Sequence, residues 1–308
     1  MASISTEYYQ LLLSQGVCSA IGVACIFQPS MSCVGGWFSK KRGLAYGVLA
    51  TGSSVGGVIF PIMVSHLITK INYGWAMRIS AFLILALLIL ANLTVKARLP
   101  PHPNSPTKEE LVKPFKEVGT MAVFGGNFFL VFAIFIPITY IIVEAQAQGM
   151  PDSLSQYLLA ILNGASLFGR LFSGYMADKV GRFNIFISVC YTTAILILAL
   201  WIPASGNAAT IVFTCLFGFF SGAYVSLGPA LIAQLAPPKE IGFRTGLMFL
   251  ICSVGGLVTN PIAGAILARE NGSFLGMKIF AGVFCLAGTT ILAFGRLYIT
   301  NWKLLVKM

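Results

Sequence analysis

Residues 37–61 read WFSKKRGLAYGVLATGSSVGGVIFP, and this stretch decides the fold of the chain. Three consecutive cations, Lys40 to Arg42, precede a long uncharged run with glycines at positions 43, 47, 52, 56 and 57. The pattern predicts a cytoplasmic hinge that leads into a transmembrane helix, because cations favour the cytoplasmic end of a span. Helices in lipid associate through close backbone packing, so we expect Gly52 and Gly56, four residues apart, to form the packing face.

The composition of the whole chain is that of a membrane protein. Of its 308 residues, 57% are hydrophobic and 9% are charged, whereas about a quarter of the residues in a soluble domain are charged. A helical span needs about 20 apolar residues, and these apolar runs are continuous, unlike the alternating strands of a membrane barrel. The sequence therefore predicts an all-α polytopic membrane protein. The nine predicted spans are Leu11–Val34, Leu44–Ile68, Trp75–Val95, Gly119–Ile142, Ser155–Ala177, Asn184–Ile202, Ala208–Leu235, Ile241–Ala268 and Phe274–Tyr298.

The net charge of +11 is explained by its distribution between the two sides of the membrane. With nine spans, successive loops lie on opposite sides of the membrane. One side then carries fourteen of the 20 Lys and Arg residues and the other side carries four. This bias predicts a cytoplasmic location for the basic side and for the C-terminus. Nucleic-acid binding is not expected, since no long basic run is interleaved with stacking aromatics. The charges assigned to the outer side are Lys70, Arg78, Arg269, Lys278, Glu7, Glu144, Asp152 and Glu270.

The sequence contains no pattern typical of a metal site or a catalytic centre. Seven cysteines all fall inside predicted spans, without C-x-x-C or zinc spacing, so we interpret them as small packing residues. The two histidines, His66 and His102, lie far apart in the sequence. No metal, no cofactor and no enzymatic activity are therefore predicted.

Two parts of the chain repeat each other at an offset of about 200 residues. Gly22 and Pro29 recur at positions 222 and 229, and the glycines at 47, 56 and 57 recur at 246, 255 and 256. Parallel repeats of this kind are typical of transporters that are built from two related bundles. A proline-rich stretch of mixed charge separates the copies and reads as a linker. The predicted organisation is a partial N-terminal bundle of three helices (1–95), a cytoplasmic linker (96–118) and a six-helix bundle (119–308).

Two motifs resemble the major facilitator superfamily and, within it, the fungal members of the monocarboxylate-porter branch. The first is WFSKKRGLAYG at Trp37–Gly47, which is similar to the entry of the fifth helix in that branch. The second is GRLFSGYMADKVGR at Gly169–Arg182, which is similar to the loop between helices eight and nine of the superfamily. The resemblance covers nearly the whole chain. It implies that the nine spans correspond to helices four to twelve of a twelve-helix transporter, so that the first three helices are absent.

Arg170 is the one charge predicted well within a span. A cation at membrane depth usually faces a partner or a water-filled cavity, and a guanidinium matches a carboxylate. Arg170 is therefore a candidate substrate-binding residue; the alternative is that it snorkels beside Asp178. Ser166 stands one turn before it, where characterised proton-coupled members of the branch carry an acidic residue, so proton coupling is left open.

Other polar residues within spans are candidates for the substrate cavity, or alternatively for hydrogen bonds between helices. The candidate substrate-binding residues besides Arg170 are Asn127, Asn163, Ser166, Tyr224 and Asn260.

The resemblance implies a latch at the cytoplasmic side. There Asp178, followed by Arg182, would meet the dipole of the helix that starts near Arg42 and the cations Lys41 and Arg42. The alternative is a solvated carboxylate that only sets topology. Pro29 and Pro229 are expected to bend their helices so that these act as gates.

The sequence as a whole predicts a secondary active transporter that works by alternating access. Its substrate would be a small organic anion or metabolite that resembles a monocarboxylate. No G-x-x-x-x-G-K-[ST] motif is present to hold a nucleotide, so transport would be driven by a gradient. The expected partners are a small-molecule substrate and the lipid bilayer, and the plasma membrane is preferred over the vacuole. Two alternatives stay open: a truncated form that does not transport, and a membrane receptor or scaffold. The sequence does not determine the oligomeric state.

Overall fold

The structure is a computed structural model that describes residues 1–38, 40–98, 108–237, 239–303 and 306–308, and all regular structure in these ranges is helical. A π-helical segment, Leu12–Cys18, lies inside the first helix, and another, Leu196–Trp201, ends the seventh. The helices are α1 (Tyr8–Trp37), α2 (Arg42–Lys70), α3 (Tyr73–Thr94), α4 (Lys108–Lys116), α5 (Val118–Ala147), α6 (Leu158–Val180), α7 (Arg182–Trp201), α8 (Asn207–Leu235), α9 (Ile241–Arg269) and α10 (Leu275–Ile299).

Eight of the described helices, all except α4 and α6, are long and apolar enough to cross a membrane. Helix α6 coincides with the remaining predicted span and is 23 residues long, but it carries Arg170, Asp178 and Lys179. The prediction of an all-α polytopic membrane protein is confirmed. Helix α4 lies inside the predicted linker, whereas the prolines at 100, 101, 103 and 106 lie outside the described residues.

The ends of the helices follow local sequence. Asn72 caps α3 by accepting the N–H of Trp75 at 2.9 Å, which satisfies one of the free donors of the first turn. Gly181 separates α6 from α7 with φ +115°, a backbone conformation that is open to glycine and rare for other residues. The sharp turn brings Arg182, the first residue of α7, back towards Asp178 on α6, and their side chains form an ion pair at 3.5 Å.

Helices α2 and α6 pack against each other with almost no side chains between their backbones. A Cβ added to Gly47 would lie 2.6 Å from the carbonyl oxygen of Arg170, and one added to Gly57 would lie 2.5 Å from Asn163. Ala50 and Ser54 on the same face of α2 are buried. Small residues that allow close backbone approach therefore form this interface, called here the α2–α6 seam.

The prediction that Gly52 and Gly56 form the packing face of α2 is wrong. A Cβ on Gly52 would have no neighbour within 4 Å, and one on Gly56 would meet only Phe60 of its own helix. The seam uses the glycines at 43, 47 and 57 instead. The reason is geometric: residues 3 and 4 apart share a helix face, so two glycine sets of similar spacing lie on different faces of α2.

The buried core lies mainly among α5 to α10. Within this core α8 contacts α6 through glycines: a Cβ on Gly169 would overlap the carbonyl oxygen of Phe219, and one on Gly222 would lie 2.7 Å from that of Ser166. Helices α1 and α3 instead expose apolar side chains such as Ile21 and Phe82 along their length, as surfaces in contact with lipid do.

The internal repeat is reflected in the helix boundaries. Helices α2 and α9, which the repeat pairs, are both 29 residues long and each contains a proline, Pro61 and Pro261 respectively. Helices α1 and α8 likewise each contain a proline. The environments differ, because Pro229 is buried in the core and Pro29 is exposed. Their role as gates stays a prediction.

Candidate functional site

Arg170 lies in the α2–α6 seam with 7% of its surface exposed. Its Nε donates to the hydroxyl of Ser166, one turn earlier on α6, at 3.1 Å. Its Nη1 donates across the seam to the carbonyl oxygen of Ala50 and to the hydroxyl of Ser53. One guanidinium therefore links α2, in the first three helices, to α6, in the six-helix part of the chain.

The charge of Arg170 has no carboxylate partner in the ranges that the structure describes. Its contacts are two hydroxyls and one carbonyl oxygen, which offer partial negative charge only. The alternative of snorkelling beside Asp178 is not seen, because the carboxylate of Asp178 binds α2 and Arg182. A buried cation that lacks a counter-ion is a candidate anion-binding group.

Two more of the predicted site residues share this face of α6. Ser166 is buried and lies 3.5 Å from the hydroxyl of Ser54 on α2. Asn163 lies against Gly57, while its amide nitrogen donates to the carbonyl of Leu159 in its own helix at 2.9 Å. The structure thus groups Asn163, Ser166 and Arg170 on the side of α6 that faces α2.

The other predicted polar residues lie elsewhere. Tyr224 on α8 donates to the backbone oxygen of Asn127 on α5 at 3.4 Å, and the amide of Asn127 donates to Val123 at 2.8 Å. The first contact is a hydrogen bond between neighbouring helices, and the second lies within α5. Asn260 on α9 is exposed, and its backbone oxygen accepts the hydroxyl of Tyr140 at 3.1 Å. The six predicted substrate-binding residues therefore do not line one cavity in this conformation.

Asp178 closes the α2–α6 seam at the basic end of the molecule, the end at which α2 starts. Its two carboxylate oxygens accept the backbone N–H groups of Gly43 at 3.0 Å and Leu44 at 2.9 Å. These are donors of the first turn of α2, where the helix dipole favours an anion. The predicted contact between Asp178 and the start of this helix is thus present, and Arg182 forms an ion pair with the same carboxylate.

The cations Lys41 and Arg42 at the start of α2 do not form an ion pair with Asp178 in the described chain. Lys41 is exposed, and Arg42 donates instead to carbonyl oxygens: that of Ala233 on α8 at 3.2 Å and that of Gly35 on α1 at 3.2 Å. A guanidinium has several donors in a fixed fork, so it can join helix ends whose carbonyls lack partners. Arg42 therefore helps to close the basic end by a route that the sequence did not indicate.

The opposite end of the same interface is less tightly packed. A cavity of about 200 Å³ separates α2 from α5 and α6 there. It is lined by Pro61, Ile62, Ser65, His66, Ile142, Gln156, Tyr157 and Leu159. At the basic end, by contrast, Gln28 on α1 donates to the carbonyl of Gly242 on α9 at 2.9 Å. The α2–α6 interface is thus closed by polar contacts at the basic end and contains a cavity at the other end.

Four further charges are buried within described helices, whereas Arg170 alone was predicted there. They are Glu144, Arg244, Lys278 and Arg296. Lys278 on α10 forms an ion pair with Glu144 on α5 and donates to the carbonyl of Trp201 at 2.8 Å. The indole of Trp201 donates to Glu144 at 2.8 Å. The sequence predicts Glu144 and Lys278 on the outer side, and both lie at the ends of their helices away from the basic end, but they are buried. Glu144 lies within a helix because α5 extends to Ala147, beyond the predicted end at Ile142.

Arg244 forms the second missed cluster, at the basic end. It ion-pairs with Glu117, which precedes α5, and with Glu240, which precedes α9; Lys113 of α4 reaches Glu240 at 3.5 Å. The hydrogen bonds from Arg244 lower the pKa of Glu117, against a smaller opposing effect of burial. The cluster connects the linker helix α4 to the first turns of α5 and α9. In the described residues, no group of three or more His, Cys, Asp or Glu side chains could hold a metal ion.

Known proteins resemble the chain in sequence and in fold. Residues 1–212 and 123–304 match the family model described as the Major Facilitator Superfamily. The "MFS transporter asaE" of Aspergillus flavus is 59% identical over 308 residues, which are 100% of this chain and 70% of that protein. The "Fujikurins efflux protein" of Gibberella fujikuroi is 48% identical, covering 99% of this chain and 66% of that one. The fucose:proton symporter FucP of E. coli shares the fold, with a TM-score of 0.72 at 16% identity, covering 94% and 77% of the two chains.

Proposed function

The chain belongs to the major facilitator superfamily, a family of transporters rather than enzymes, and we propose that it carries a small organic anion by secondary active transport. The observation that carries the proposal is Arg170, a buried guanidinium without a carboxylate partner in the described chain, set between α2 and α6. We place the protein in the monocarboxylate-porter branch on the strength of the motifs at Trp37–Gly47 and Gly169–Arg182. On this proposal α1–α3 and α5–α10 correspond to helices four to twelve of the family.

In the proposed mechanism the substrate competes with α2 for Arg170. A carboxylate offers two full-strength acceptors to the guanidinium fork, whereas Ala50 and Ser53 offer one carbonyl and one hydroxyl. An anion bound to Arg170 would therefore displace these bonds and release the middle of the α2–α6 seam. A ligand shifts a conformational equilibrium only by binding one state better, and this exchange of partners supplies such a difference.

In alternating access the substrate site opens to one side of the membrane at a time. We assign the two openings to the two ends of the α2–α6 seam. We take the basic end as cytoplasmic from the distribution of Lys and Arg. The conformation described here is then closed to the cytoplasm by Asp178, Arg42 and Gln28. The 200 Å³ cavity beside His66 is its opening to the other side. Rocking of the two helix groups would break the first set of contacts and close the second opening.

Export of a fungal metabolite is the direction that we favour. The relative from Gibberella fujikuroi is named as an efflux protein, and it is 48% identical over nearly the whole of this chain. The substrate would be an amphipathic carboxylate, because Arg170 provides one charge while the cavity at the other end of the interface, about 16 Å further along α6, is lined mainly by apolar side chains. The plasma membrane is the proposed location. Coupling to protons would need a carboxylate other than residue 166, which is serine.

The test is a flux measurement in proteoliposomes with a series of aliphatic and aromatic monocarboxylates, each paired with its uncharged amide. We expect saturable flux of carboxylates, which Arg170→Gln reduces at least tenfold and Arg170→Lys restores in part. Arg78→Gln is the matched control, since Arg78 lies near Ser3 and Trp75 at the far end from Asp178.

Three other results would each change the conclusion. Equal transport of acids and amides would show that Arg170 does not select the substrate by charge. Loss of flux in Arg78→Gln as well would indicate general damage. Saturable binding of carboxylates without flux in the intact protein would favour the receptor or scaffold alternative.

A further inference from the structure

An open groove of about 600 Å³ runs along the outside of the bundle at the basic end. It lies between the first turns of α5 and the last turns of α10, and α4 closes one end of it. The residues that matter here are Lys116, Met121, Ile291, Phe294, Tyr298 and Trp302. This set, called here the α5–α10 groove, has no part in the α2–α6 seam.

The floor of the groove is closed, so the groove faces away from the protein core. A Cβ added to Gly295 would overlap that of Ala122, which shows that the two helices touch directly below it. Its walls are exposed in the isolated chain: the fraction exposed is 58% for Phe294 and 59% for Tyr298. From Ile291 to Tyr298 the wall rises about 10 Å along α10. The groove therefore opens on the outer surface of the bundle, the surface that contacts lipid in a membrane-spanning protein.

The rim of the groove carries an available positive charge. Lys116 lines the groove and makes no ion pair in the ranges that the structure describes. Lys113, one turn earlier, is by contrast held by Glu240. Tyr298 and Trp302 lie at the same level, where amphipathic rings sit among lipid headgroups.

The backbone after α10 places Trp302 at this rim. Asn301 and Trp302 have φ of +50° and +63°, in the left-handed region that bulky side chains rarely adopt. The N–H of Trp302 donates back to the carbonyl of Leu297 at 2.8 Å, which ends the helix and turns the chain onto its own last turn. The indole thereby becomes one wall of the groove instead of extending away from the helix end.

We propose that the α5–α10 groove binds an anionic phospholipid of the leaflet at the basic end. One acyl chain would lie along Met121, Ile291 and Phe294, and the phosphate would meet Lys116 beside the indole of Trp302. Basic pockets between spans on the cytoplasmic side bind anionic headgroups in this way. The volume of about 600 Å³ lies within the range of ordinary ligand sites. Because α4 closes one end of the groove, the contacts of this linker helix would depend on the lipid composition of the membrane.

Quenching of Trp302 fluorescence by brominated lipid tests this proposal. Trp37 and Trp75 are changed to Phe; Trp201, which is 1% exposed, stays as an internal reference. The protein is reconstituted in phosphatidylcholine nanodiscs that contain equal minor amounts of either brominated phosphatidylserine or brominated phosphatidylcholine. We expect about a fivefold preference for the serine lipid, which is the effect of one lysine near an anionic surface. Trp302→Phe should remove most of the quenching.

The decisive variants are Lys116→Gln and its control Lys96→Gln, which removes an exposed cation elsewhere at the same end. Loss of the lipid preference in Lys116→Gln alone supports the site. Equal quenching by the two lipids overturns it. A preference that survives Lys116→Gln, or falls equally in both variants, also overturns it, because the attraction would then belong to the basic surface in general.

Discussion

The carboxylate of Asp178, on α6, accepts the backbone N–H of Leu44, on α2, at 2.9 Å. A second oxygen accepts the N–H of Gly43 at 3.0 Å, so one side chain caps a helix that belongs to the other group of helices. In the proposed rocking mechanism the contact would exist only while the basic end is closed, and it would therefore stabilise that conformation.

Asp178→Asn should shift the protein towards the conformation that is open at the basic end. The substitution keeps the size of the side chain but removes the charge that the helix dipole stabilises, an effect of about 0.3–2 kcal/mol, or about 2- to 30-fold in population. In a background in which the seven native cysteines are changed to alanine, labelling of Met31→Cys, a buried position of α1, by a maleimide added at the basic side should rise accordingly. Asp152→Asn is the control. Unchanged labelling would contradict the latch.

Arg170→Met should abolish carboxylate transport without lowering thermal stability. Arg170 is buried without a carboxylate partner in the described residues, so an apolar chain of similar length costs little or even stabilises the fold. We expect at least tenfold less flux with an unfolding temperature equal to or above that of the parent. The two quantities are measured on the same detergent-purified sample. A marked fall in unfolding temperature would instead assign Arg170 to the fold.

Gly169→Ala and Gly52→Ala should have opposite effects on stability. A Cβ at position 169 would overlap the carbonyl oxygen of Phe219, which is rigid backbone, whereas one at position 52 meets nothing within 4 Å. Alanine also favours a helix over glycine by about 1 kcal/mol. Thermal unfolding should therefore show a large loss for Gly169→Ala and a small gain for Gly52→Ala. Equal behaviour of the two variants would mean that α6 and α8 are packed less closely than described.

Single substitutions of the Glu144–Lys278 pair should be more harmful than the double one. Both side chains are 5% exposed or less, so removing one leaves a buried charge unpaired, at a cost of about 3–5 kcal/mol. We expect Glu144→Leu and Lys278→Met each to unfold at lower temperature, and the double variant to recover part of the loss. Additive effects in this double-mutant cycle would indicate that the pair does not interact.

The Glu117–Arg244 contact should weaken in acid. The pKa of Glu117 is lowered in the folded protein by hydrogen bonds from Arg244, so the stabilisation is present above the pKa of the unfolded chain and is lost as pH falls through the folded value. As the pH falls below 4.5, the ordinary pKa of a glutamate, the parent should lose more stability than Glu117→Gln, which lacks this titration. Glu109→Gln, at an exposed position of α4, should lose as much as the parent. Parallel pH curves for the parent and Glu117→Gln would exclude the contribution.

The sequence was sufficient to predict the helices, because continuous apolar runs and positive charge define spans without knowledge of their packing. The burial of Arg170 was also predictable, from its depth in a span. The contact of Asp178 with the start of α2 was predictable from the resemblance of the motif around it. The face of α2 that packs against α6 could not be predicted. Glycines at 52 and 56 and glycines at 43, 47 and 57 have similar spacing, and only the partner helix α6 distinguishes them.

The buried ion pair was missed for a different reason. Glu144 falls two residues beyond the predicted end of its span at Ile142, where a charge is ordinarily taken as exposed. In the structure α5 continues to Ala147, and Lys278 and Trp201 from two other helices converge on the carboxylate. Such convergence depends on tertiary packing, which local sequence does not encode.

The glycine contacts between α6 and α8 divide α6 into two sides with different tolerance of change. On one side Gly169 meets the backbone of α8 without any gap, so substitution there is penalised whatever the cargo. On the other side Asn163 meets Gly57 of α2, while Ser166, between the two sides, contacts Ser54 of α2 and Gly222 of α8 and accepts the Nε–H of Arg170. On the proposed function, a lineage could therefore alter which compound is carried by changing position 163, while Ser166, Gly169 and α8 keep Arg170 in place.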